Sequence, residues 1–189
     1  GTASILAKMR EFGIDPDKGS GRLVLDRLKE MESEGYQFEG AEASFELLVR
    51  RLQDGIRPPF RLEGFRIFVD VAGSNVSSEA SIKVIDSTGA MEHTAADGNG
   101  PVNALDRAVR KALERFYPEL RQVRLADYKV RVIDSKDATG AKVRVLIRST
   151  DGERSWTTVG VSTNVIEASL AALLDSMEYK LMLVRNGGP

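Results

Sequence analysis

The first third of the chain carries apolar residues at helical spacing. They recur three and four residues apart in three stretches, each bounded by glycine or by a turn-forming cluster. The stretches contain Ile5, Leu6, Met9 and Phe12, then Leu23, Leu25, Leu28 and Met31, then Phe45, Leu48, Val49 and Leu52. Ser20 is the expected N-cap of the second helix and Gly35 its end. The pattern predicts a small three-helix subdomain over residues 1–56, with its apolar stripes packed on one another or on the next domain.

The spacing changes after Arg57, Pro58 and Pro59, which favour an extended link. We therefore place a domain boundary there. Beyond it, apolar and other residues alternate with a period of two, which predicts a half-buried strand. The alternating apolar residues are Phe65, Ile67, Val69 and Val71. Strands over about 80–85 and 91–96 follow, and then a helix that Pro118 ends.

The same order of elements occurs twice. A second set of three alternating segments and a helix occupies about residues 124–183, matching the first set over 62–118. Gly98 and Gly160 lie at equivalent junctions between strand and helix. The predicted fold class is α+β, with two βββα units forming one domain over residues 57–189. We expect each helix to cover one face of its sheet, and the packing of the two units to cover the other faces.

Composition argues against several functions. The formal net charge is -1, so binding to nucleic acid or to an anionic membrane surface is not expected. Without cysteine and with His93 as the single histidine, the sequence has no thiol nucleophile, Cys-based zinc site or histidine pair. It has no phosphate-binding loop, so no cofactor is expected. No apolar run reaches the roughly 20 residues of a membrane span, and we expect a soluble, cytoplasmic protein.

Three segments resemble a known family. Residues 98–104 (GNGPVNA) and 156–169 (WTTVGVSTNVIEAS) resemble the C-terminal allosteric (LeuA dimerisation) domain of the 2-isopropylmalate synthase and citramalate synthase family. Residues 35–45 (GYQFEGAEASF) resemble the helical subdomain of the citramalate synthases in particular. Together the similarities extend over nearly the whole chain.

The resemblance implies a parent acyltransferase whose N-terminal TIM barrel condenses acetyl-CoA with a 2-oxo acid, using a divalent metal. A barrel of about 250 residues is longer than this chain of 189, so we expect no catalysis from the chain itself. Its implied partners are the missing catalytic barrel and a second copy, because the family's domain binds its effector at a two-fold dimer interface. Isoleucine is the expected effector, as in citramalate synthases. The alternatives are leucine, as in 2-isopropylmalate synthases, or a structural dimerisation module without a ligand.

An amino acid requires donors for its carboxylate, an acceptor for its ammonium group and an apolar cavity. Backbone N–H groups at a helix N-terminus are suitable donors, and glycine allows close approach. The candidate effector residues at the two junctions are Gly98, Asn99, Gly100, Pro101, Val102 and Asn103, and Val161, Ser162, Thr163, Asn164 and Ile166. Asp134, Asp86 or a loop carbonyl is the candidate acceptor. The alternative interpretations are a tight turn at the first junction and ordinary helix N-caps at the second.

Overall fold

The computed structural model describes residues 1–133 and 140–186. Its helical segment contains the three predicted helices, α1 (Thr2–Glu11), α2 (Gly21–Ser33) and α3 (Glu42–Gln53). Their inward sides form one small core that includes Met9, Leu28 and Phe45. The apolar spacing therefore located these helices correctly.

One residue on the predicted inward side of α2 is misplaced, while Leu25, Leu28 and Met31 lie in or against the helical core. Leu23 is 59% exposed, whereas Val24 is fully buried. Gly21 lies one turn before Val24, and a Cβ atom there would lie 1.7 Å from the Asp15 carbonyl oxygen, so this side of the helix lies against the preceding turn. Ser20 occupies the N-cap position, but its side chain makes no capping hydrogen bond. The N-cap position was therefore predicted correctly, whereas the inward assignment of Leu23 was wrong.

The rest of the chain consists of two βββα units, as predicted. Each unit has a three-stranded antiparallel sheet whose strands follow chain order, and a helix follows the third strand. The first unit contains β1 (Phe60–Ala72), β2 (Asn75–Asp86), β3 (Met91–Gly98) and α4 (Pro101–Phe116). After a short 3-10 helix (Pro118–Gln122), the second contains β4 (Arg124–Ile133), β5 (Lys142–Thr150), β6 (Ser155–Ser162) and α5 (Val165–Arg185).

The duplication extends to an irregularity in the first strand of each unit. The register of β1 shifts between Leu62 and Gly64, and that of β4 shifts between Leu125 and Asp127. In both units the helix contacts mainly the second and third strands. The two units thus share the position of a bulge as well as the order of their elements.

The two units meet through their helices. Ala80, Ile82 and Val84 of β2 are buried beneath α4, and α4 in turn contacts α5. The other face of the first sheet carries the polar, partly exposed side chains of Ser81 and Lys83. Our expectation that the units would cover each other's second sheet faces was therefore wrong, because the apolar residues that drive the packing lie on the helices and on the sheet faces beneath them.

The outer strand of the first unit is also more exposed than predicted. Val69 and Val71 were expected to lie on a half-buried face, yet Val71 is 69% exposed. The hairpin formed by β1 and β2 extends past the part that α4 covers, so alternation alone did not predict burial. Within the described residues, no helix is long and apolar enough to cross a membrane, and no cluster of three or more His, Asp or Glu is placed to hold a metal.

Candidate functional site

The first junction connects β3 directly to α4. Gly98 lies against the start of the helix, and a Cβ atom there would come within 2.3 Å of the Ala104 nitrogen. Asn103 turns back toward the junction, where its Oδ1 accepts a hydrogen bond of 3.0 Å from the Asn99 N–H. Glycine at position 98 is therefore required by the close contact between strand and helix.

The N-terminus of α4 has no side-chain cap. Gly100 is the N-cap in an extended conformation, and Pro101 follows as the first helical residue. The next two amides, of Val102 and Asn103, donate no hydrogen bond to a capping side chain in the described structure. Uncapped amides at the positive end of a 16-residue helix favour an anion.

The second junction differs from the first. Asn164 is the N-cap of α5, and its Oδ1 accepts hydrogen bonds from the N–H groups of Ile166 and Glu167. The Ser162 hydroxyl accepts from the Asn164 N–H at 3.0 Å and donates to a Glu167 carboxylate oxygen at 2.9 Å. Our expectation of free amides at both junctions was therefore wrong for the second. The alternative interpretation, that its polar residues act as ordinary N-caps, fits Ser162 and Asn164.

The second junction also includes Thr163 and Val161. Thr163 is exposed, and Val161 is half-buried beside the helical segment, where a Cβ atom on Gly35 would lie 3.4 Å from the Val161 side chain. Gly160 lies against α5, because a Cβ atom there would come within 2.0 Å of the Ala168 carbonyl oxygen. Both junction glycines thus allow the same close contact between strand and helix.

The acceptor for an ammonium group is not located by the structure. Asp134 lies outside the described residues. Asp86 Oδ1 accepts hydrogen bonds from the hydroxyl and N–H of Thr88 and from the Ala90 N–H, and these bonds lower the pKa of Asp86. Asp86 therefore stabilises the turn after β2.

Ser78 is a further candidate site residue, which the sequence pattern did not indicate. It pairs with Val69 on one side and with Gly98 on the other, so Val69, Ser78 and Gly98 form one row across the first sheet. Ser78 is 2% exposed, and within the described residues its hydroxyl has no hydrogen-bond partner. The matching row of the second sheet has the apolar Val145 between Val130 and Gly160. Burying a hydroxyl without a hydrogen-bond partner lowers the free energy of unfolding, and the second unit avoids this cost with valine. The strand pattern of the sequence does not indicate that Ser78 is buried.

Two clefts of the described chain are lined by residues other than the candidate effector residues. One, of about 680 Å³, is lined by charged residues that include Arg107 and Lys111 of α4. Another, of about 650 Å³, lies between the helical segment and the second sheet, where it is lined by Tyr36, Phe38 and Arg144. None of the candidate effector residues lines either cleft.

A polar contact joins the helical segment to the second unit. The Ser44 hydroxyl of α3 accepts from the Val159 N–H at 2.9 Å and donates to Asp175 of α5 at 2.9 Å. Arg51 donates to Asp175 at 3.1 Å and also to Glu178. We call this contact between α3 and α5 the seam.

The seam places two carboxylates beside one guanidinium. Burial raises the pKa of Asp175 and the pKa of Glu178, and the nearby Arg51 offsets only part of that increase. Such a buried group of charges contributes little net stability when intact, but losing one member is costly. The seam was not predicted, because its residues are far apart in the sequence.

Comparisons with known proteins agree with the duplicated fold. The chain is 51% identical over 186 residues to an (R)-citramalate synthase of Aquifex aeolicus, and 54% identical over 185 residues to one of Geobacter sulfurreducens. A third (R)-citramalate synthase, of Synechocystis sp., is 44% identical over 195 residues. The alignments cover 96%, 96% and 99% of this chain, but only 35% of each relative.

A family model matches most of the chain directly. Residues 39–181 match the model of the LeuA allosteric (dimerisation) domain. The matched region includes α3, both βββα units and most of α5. The chain spans about a third of the length of the curated relatives, so only the domain family follows from these matches. The chain belongs to the LeuA allosteric (dimerisation) domain family.

Proposed function

We propose that this chain is the regulatory module of a citramalate synthase, in which two copies form a homodimer that binds isoleucine as a feedback inhibitor. The parent enzyme would condense acetyl-CoA with pyruvate, while this module would carry no catalytic group. One observation supports the proposal most directly: the uncapped N-terminus of α4 lies at the end of the same sheet row as Ser78 and the exposed Val69.

The first junction suits the carboxylate of an amino acid. The amides of Val102 and Asn103 are available at the positive end of α4, and Gly100 has no side chain to obstruct them. Ser78 adds a hydroxyl that lacks a partner within the described residues. A carboxylate has enough lone pairs to accept from all three donors.

The neighbouring outer strand suits a branched aliphatic side chain. Val69 lies two strands from Gly98 in the same row, about 10 Å away at normal strand spacing. Val71 and Val76 pair with each other at the next position on that side of the hairpin. A second copy covering these valines would remove them from water and enclose the effector. Asp134 remains our proposed acceptor for the ammonium group.

The names of the relatives favour isoleucine over leucine. Three curated relatives with 44–54% identity are named (R)-citramalate synthase, and their similarity extends into the helical segment that precedes the duplicated units. We propose that effector binding reaches the missing barrel through α3, whose seam contacts the second unit. This requires the effector to bind two arrangements of the dimer with different affinities.

Calorimetric titration with isoleucine, leucine and valine tests the proposal, using Gly100→Asp as the diagnostic variant. A Cβ atom at position 100 meets open space and the backbone there is extended, so the substitution fits. The Asp carboxylate would cap the Val102 and Asn103 amides and repel the carboxylate of the effector. We expect isoleucine affinity to fall by about tenfold or more, with no loss of thermal stability.

Gly100→Ala is the matched control, because it adds a Cβ atom without an anion and should leave the affinity nearly unchanged. Tighter binding of leucine than isoleucine would instead favour a 2-isopropylmalate synthase module. A dimer that binds none of the three amino acids would indicate a structural dimerisation module. Consumption of acetyl-CoA by this chain with pyruvate would contradict the proposed lack of catalysis.

A further inference from the structure

The outer face of the second sheet, which points away from α5, is strongly basic. Its positive side chains alternate along β4 and β5 with the residues that face α5. They are Lys129, Arg131, Lys142, Arg144 and Arg148. Among the described residues of these strands, Asp127 is the one carboxylate on this face, and its Oδ2 lies 3.8 Å from Lys129 Nζ. This face therefore carries an excess of positive charge, although the formal net charge of the chain is -1.

Two of these cations lie directly opposite each other. Register pairs Arg131 of β4 with Arg144 of β5. Directly opposite residues have Cβ atoms about 4.5–5.5 Å apart, and like charges in such a pair are destabilising. Burial lowers the pKa of Arg144, and the neighbouring Arg131 lowers it further. Both guanidinium groups still stay charged near neutral pH, so the pair carries an electrostatic cost that an anion between them would remove.

The C-terminus of α2 holds Arg144 in place. Nε and Nη2 of Arg144 donate to the Gly35 carbonyl oxygen at 3.0 and 2.7 Å. Lys142 Nζ donates to the Glu34 carbonyl oxygen at 3.0 Å. Carbonyl groups at a helix end carry partial negative charge, so they offset some of the positive charge of these two side chains. The bonds also fix the Arg144 guanidinium in advance, which lowers the ordering cost of binding a ligand.

The duplicated fold does not require two facing arginines. The first sheet has Asp70 opposite Ser77 at the position that matches Arg131 opposite Arg144. In each sheet this pair lies next to the row that ends at the junction glycine. Because the first unit forms the same strands without the arginine pair, the pair in the second unit indicates a role beyond folding.

A cleft lies directly beside Arg144. It has a volume of about 650 Å³ between the helical segment and the second sheet, and its lining includes Tyr36, Phe38 and Ile133. The rings of Tyr36 and Phe38 are stacked, with centroids 5.8 Å apart. Small-molecule sites have volumes of about 300–1,000 Å³ and combine aromatic walls with a few charged groups. The cleft therefore has the size and the lining of such a site.

The charged groups of the cleft are divided between its two walls. Arg144 belongs to the sheet wall, whereas the other charged lining residues belong to the helical segment and are Lys8, Glu11, Glu32, Glu39 and Glu42. Lys8 and Glu42 form an ion pair with each other. The sheet wall is therefore the positive end of the cleft, and it continues into the facing pair of Arg131 and Arg144.

We propose that this face of the second sheet and the adjoining cleft bind a small ligand that carries a diphosphate and an aromatic ring. The phosphates lie between Arg131 and Arg144, and the ring lies in the cleft against Phe38. Guanidinium groups bind phosphate oxygens through paired hydrogen bonds, so a phosphate between two facing arginines replaces their repulsion with attraction. The site is separate from the first junction and does not depend on the proposed function.

A small ligand fits this site better than a long polyanion such as a nucleic acid. α3 contacts β6 and covers that side of the face, where Val159 is buried. The chain as a whole is slightly acidic, so a long polyanion would meet no extended positive field.

Calorimetric titration with pyrophosphate and with ADP, both without added metal, tests the inference. We expect the wild type to bind both, and ADP about fivefold more tightly, because its ring also contacts Phe38. Arg131→Gln should weaken the binding of both by about tenfold or more. It should also maintain or raise the thermal stability of the chain without ligand, because it removes the repulsion with Arg144. A purely structural role of Arg131 would lower that stability instead.

Arg148→Gln is the matched control, because it removes a cation from the same face at a position opposite Asp127. Both affinities should stay within about twofold of the wild type. Phe38→Leu keeps an apolar side chain and should reduce the affinity for ADP to that for pyrophosphate. Gly100→Asp changes only the first junction and should bind pyrophosphate as the wild type does. Circular dichroism of each variant checks that it is folded.

The outcomes separate this inference from the proposed function. A wild type that binds neither pyrophosphate nor ADP would overturn the site. Equal weakening by Arg131→Gln and Arg148→Gln would also overturn it, because it would show diffuse attraction to a basic face. If pyrophosphate binding depends on Arg131 but ADP binds no more tightly, the role of the cleft is wrong. A wild type that binds pyrophosphate but not isoleucine would contradict the proposed function and leave this site standing.

Discussion

Ser78 combines deep burial with an unpaired hydroxyl within the described residues, and the second unit has Val145 in the matching place. Replacing Ser78 with alanine removes the cost of burying that hydroxyl, so we expect the free energy of unfolding without effector to rise by about 1 kcal/mol. Isoleucine affinity should fall by about tenfold, since one donor to the carboxylate is lost. Urea denaturation and calorimetry measure the two effects.

Ser81→Ala provides the control for this variant, because Ser81 lies on the other sheet face and contacts the His93 ring at 3.0 Å. The free energy of unfolding and the affinity for isoleucine should both change little in Ser81→Ala. A Ser78→Ala variant that is less stable and binds isoleucine normally would show that the hydroxyl bonds to a buried water and not to the effector.

Individual residues show that a sequence pattern can predict an element without predicting which of its side chains are buried. The alternation of Val69 and Val71 correctly predicted a strand, but their exposure depends on where α4 ends above the sheet. The burial of Val24 in place of Leu23 depends on the contact of Gly21 with Asp15. Periodicity gives the element, whereas tertiary contacts decide which of its sides is covered.

At the scale of elements, α5 is fixed to the turn between β5 and β6 by a buried ion pair. Lys180 donates to Asp151 at 2.7 Å, and both side chains are buried. Asp151 also accepts from the backbone N–H groups of Glu153 and Arg154. Burial alone would raise the pKa of Asp151, but these donors together lower it to about 2.

This lowered pKa predicts how the stability of the protein depends on pH. The folded state binds the Asp151 proton more weakly than the unfolded state, so the contribution of the pair is fully present above the ordinary value of 3.8 and is lost as the pH falls toward about 2. Asp151→Asn leaves Lys180 buried without its counterion, which should cost about 3–5 kcal/mol near neutral pH. Denaturation at several pH values should show this deficit shrinking in acid.

The exposed Asp26 of α2 supplies a control for that experiment, because Asp26→Asn should change stability by no more than about 0.5 kcal/mol. A deficit for Asp151→Asn that stays constant down to the lowest pH would contradict the ion pair. The elements joined by this pair were all predicted from the sequence, yet the pair was not. Charge spacing along a helix does not show whether a lysine such as Lys180 is buried.

For the whole molecule, the seam holds the helical segment to the duplicated units. Arg51→Met leaves Asp175 and Glu178 without their guanidinium, so we expect the free energy of unfolding to fall by about 3–5 kcal/mol near neutral pH. The loss should become smaller as the pH is lowered, because burial already raises the pKa of both carboxyls and protonation removes their charge. Urea denaturation at neutral and mildly acidic pH measures both effects.

Arg50 is the natural comparison, since its contact with Glu46 at 3.3 Å lies within α3 and does not join it to α5. Arg50→Met should cost no more than about 0.5 kcal/mol. Equal losses for the two arginine variants would show that the seam contributes nothing beyond helix stability.

The fold at this scale was largely predictable because it is duplicated. The matching glycines at positions 98 and 160 and the repeated strand pattern indicated two βββα units from one chain. The seam was not predictable, because Ser44 and Asp175 are 131 positions apart and neither carries a local pattern that indicates the other. The arrangement of the units through α4 and α5 depends on the same long-range packing.

Ser44 has a mechanical consequence for α3. One hydroxyl bonds both the backbone of β6 and a carboxylate of α5, so sliding or rotating α3 would break both bonds at once. Arg51, which also bonds Asp175, lies on the same helix and would move with it. We therefore expect α3 to be either seated or released, so that a polypeptide preceding it takes two discrete positions in place of a graded movement.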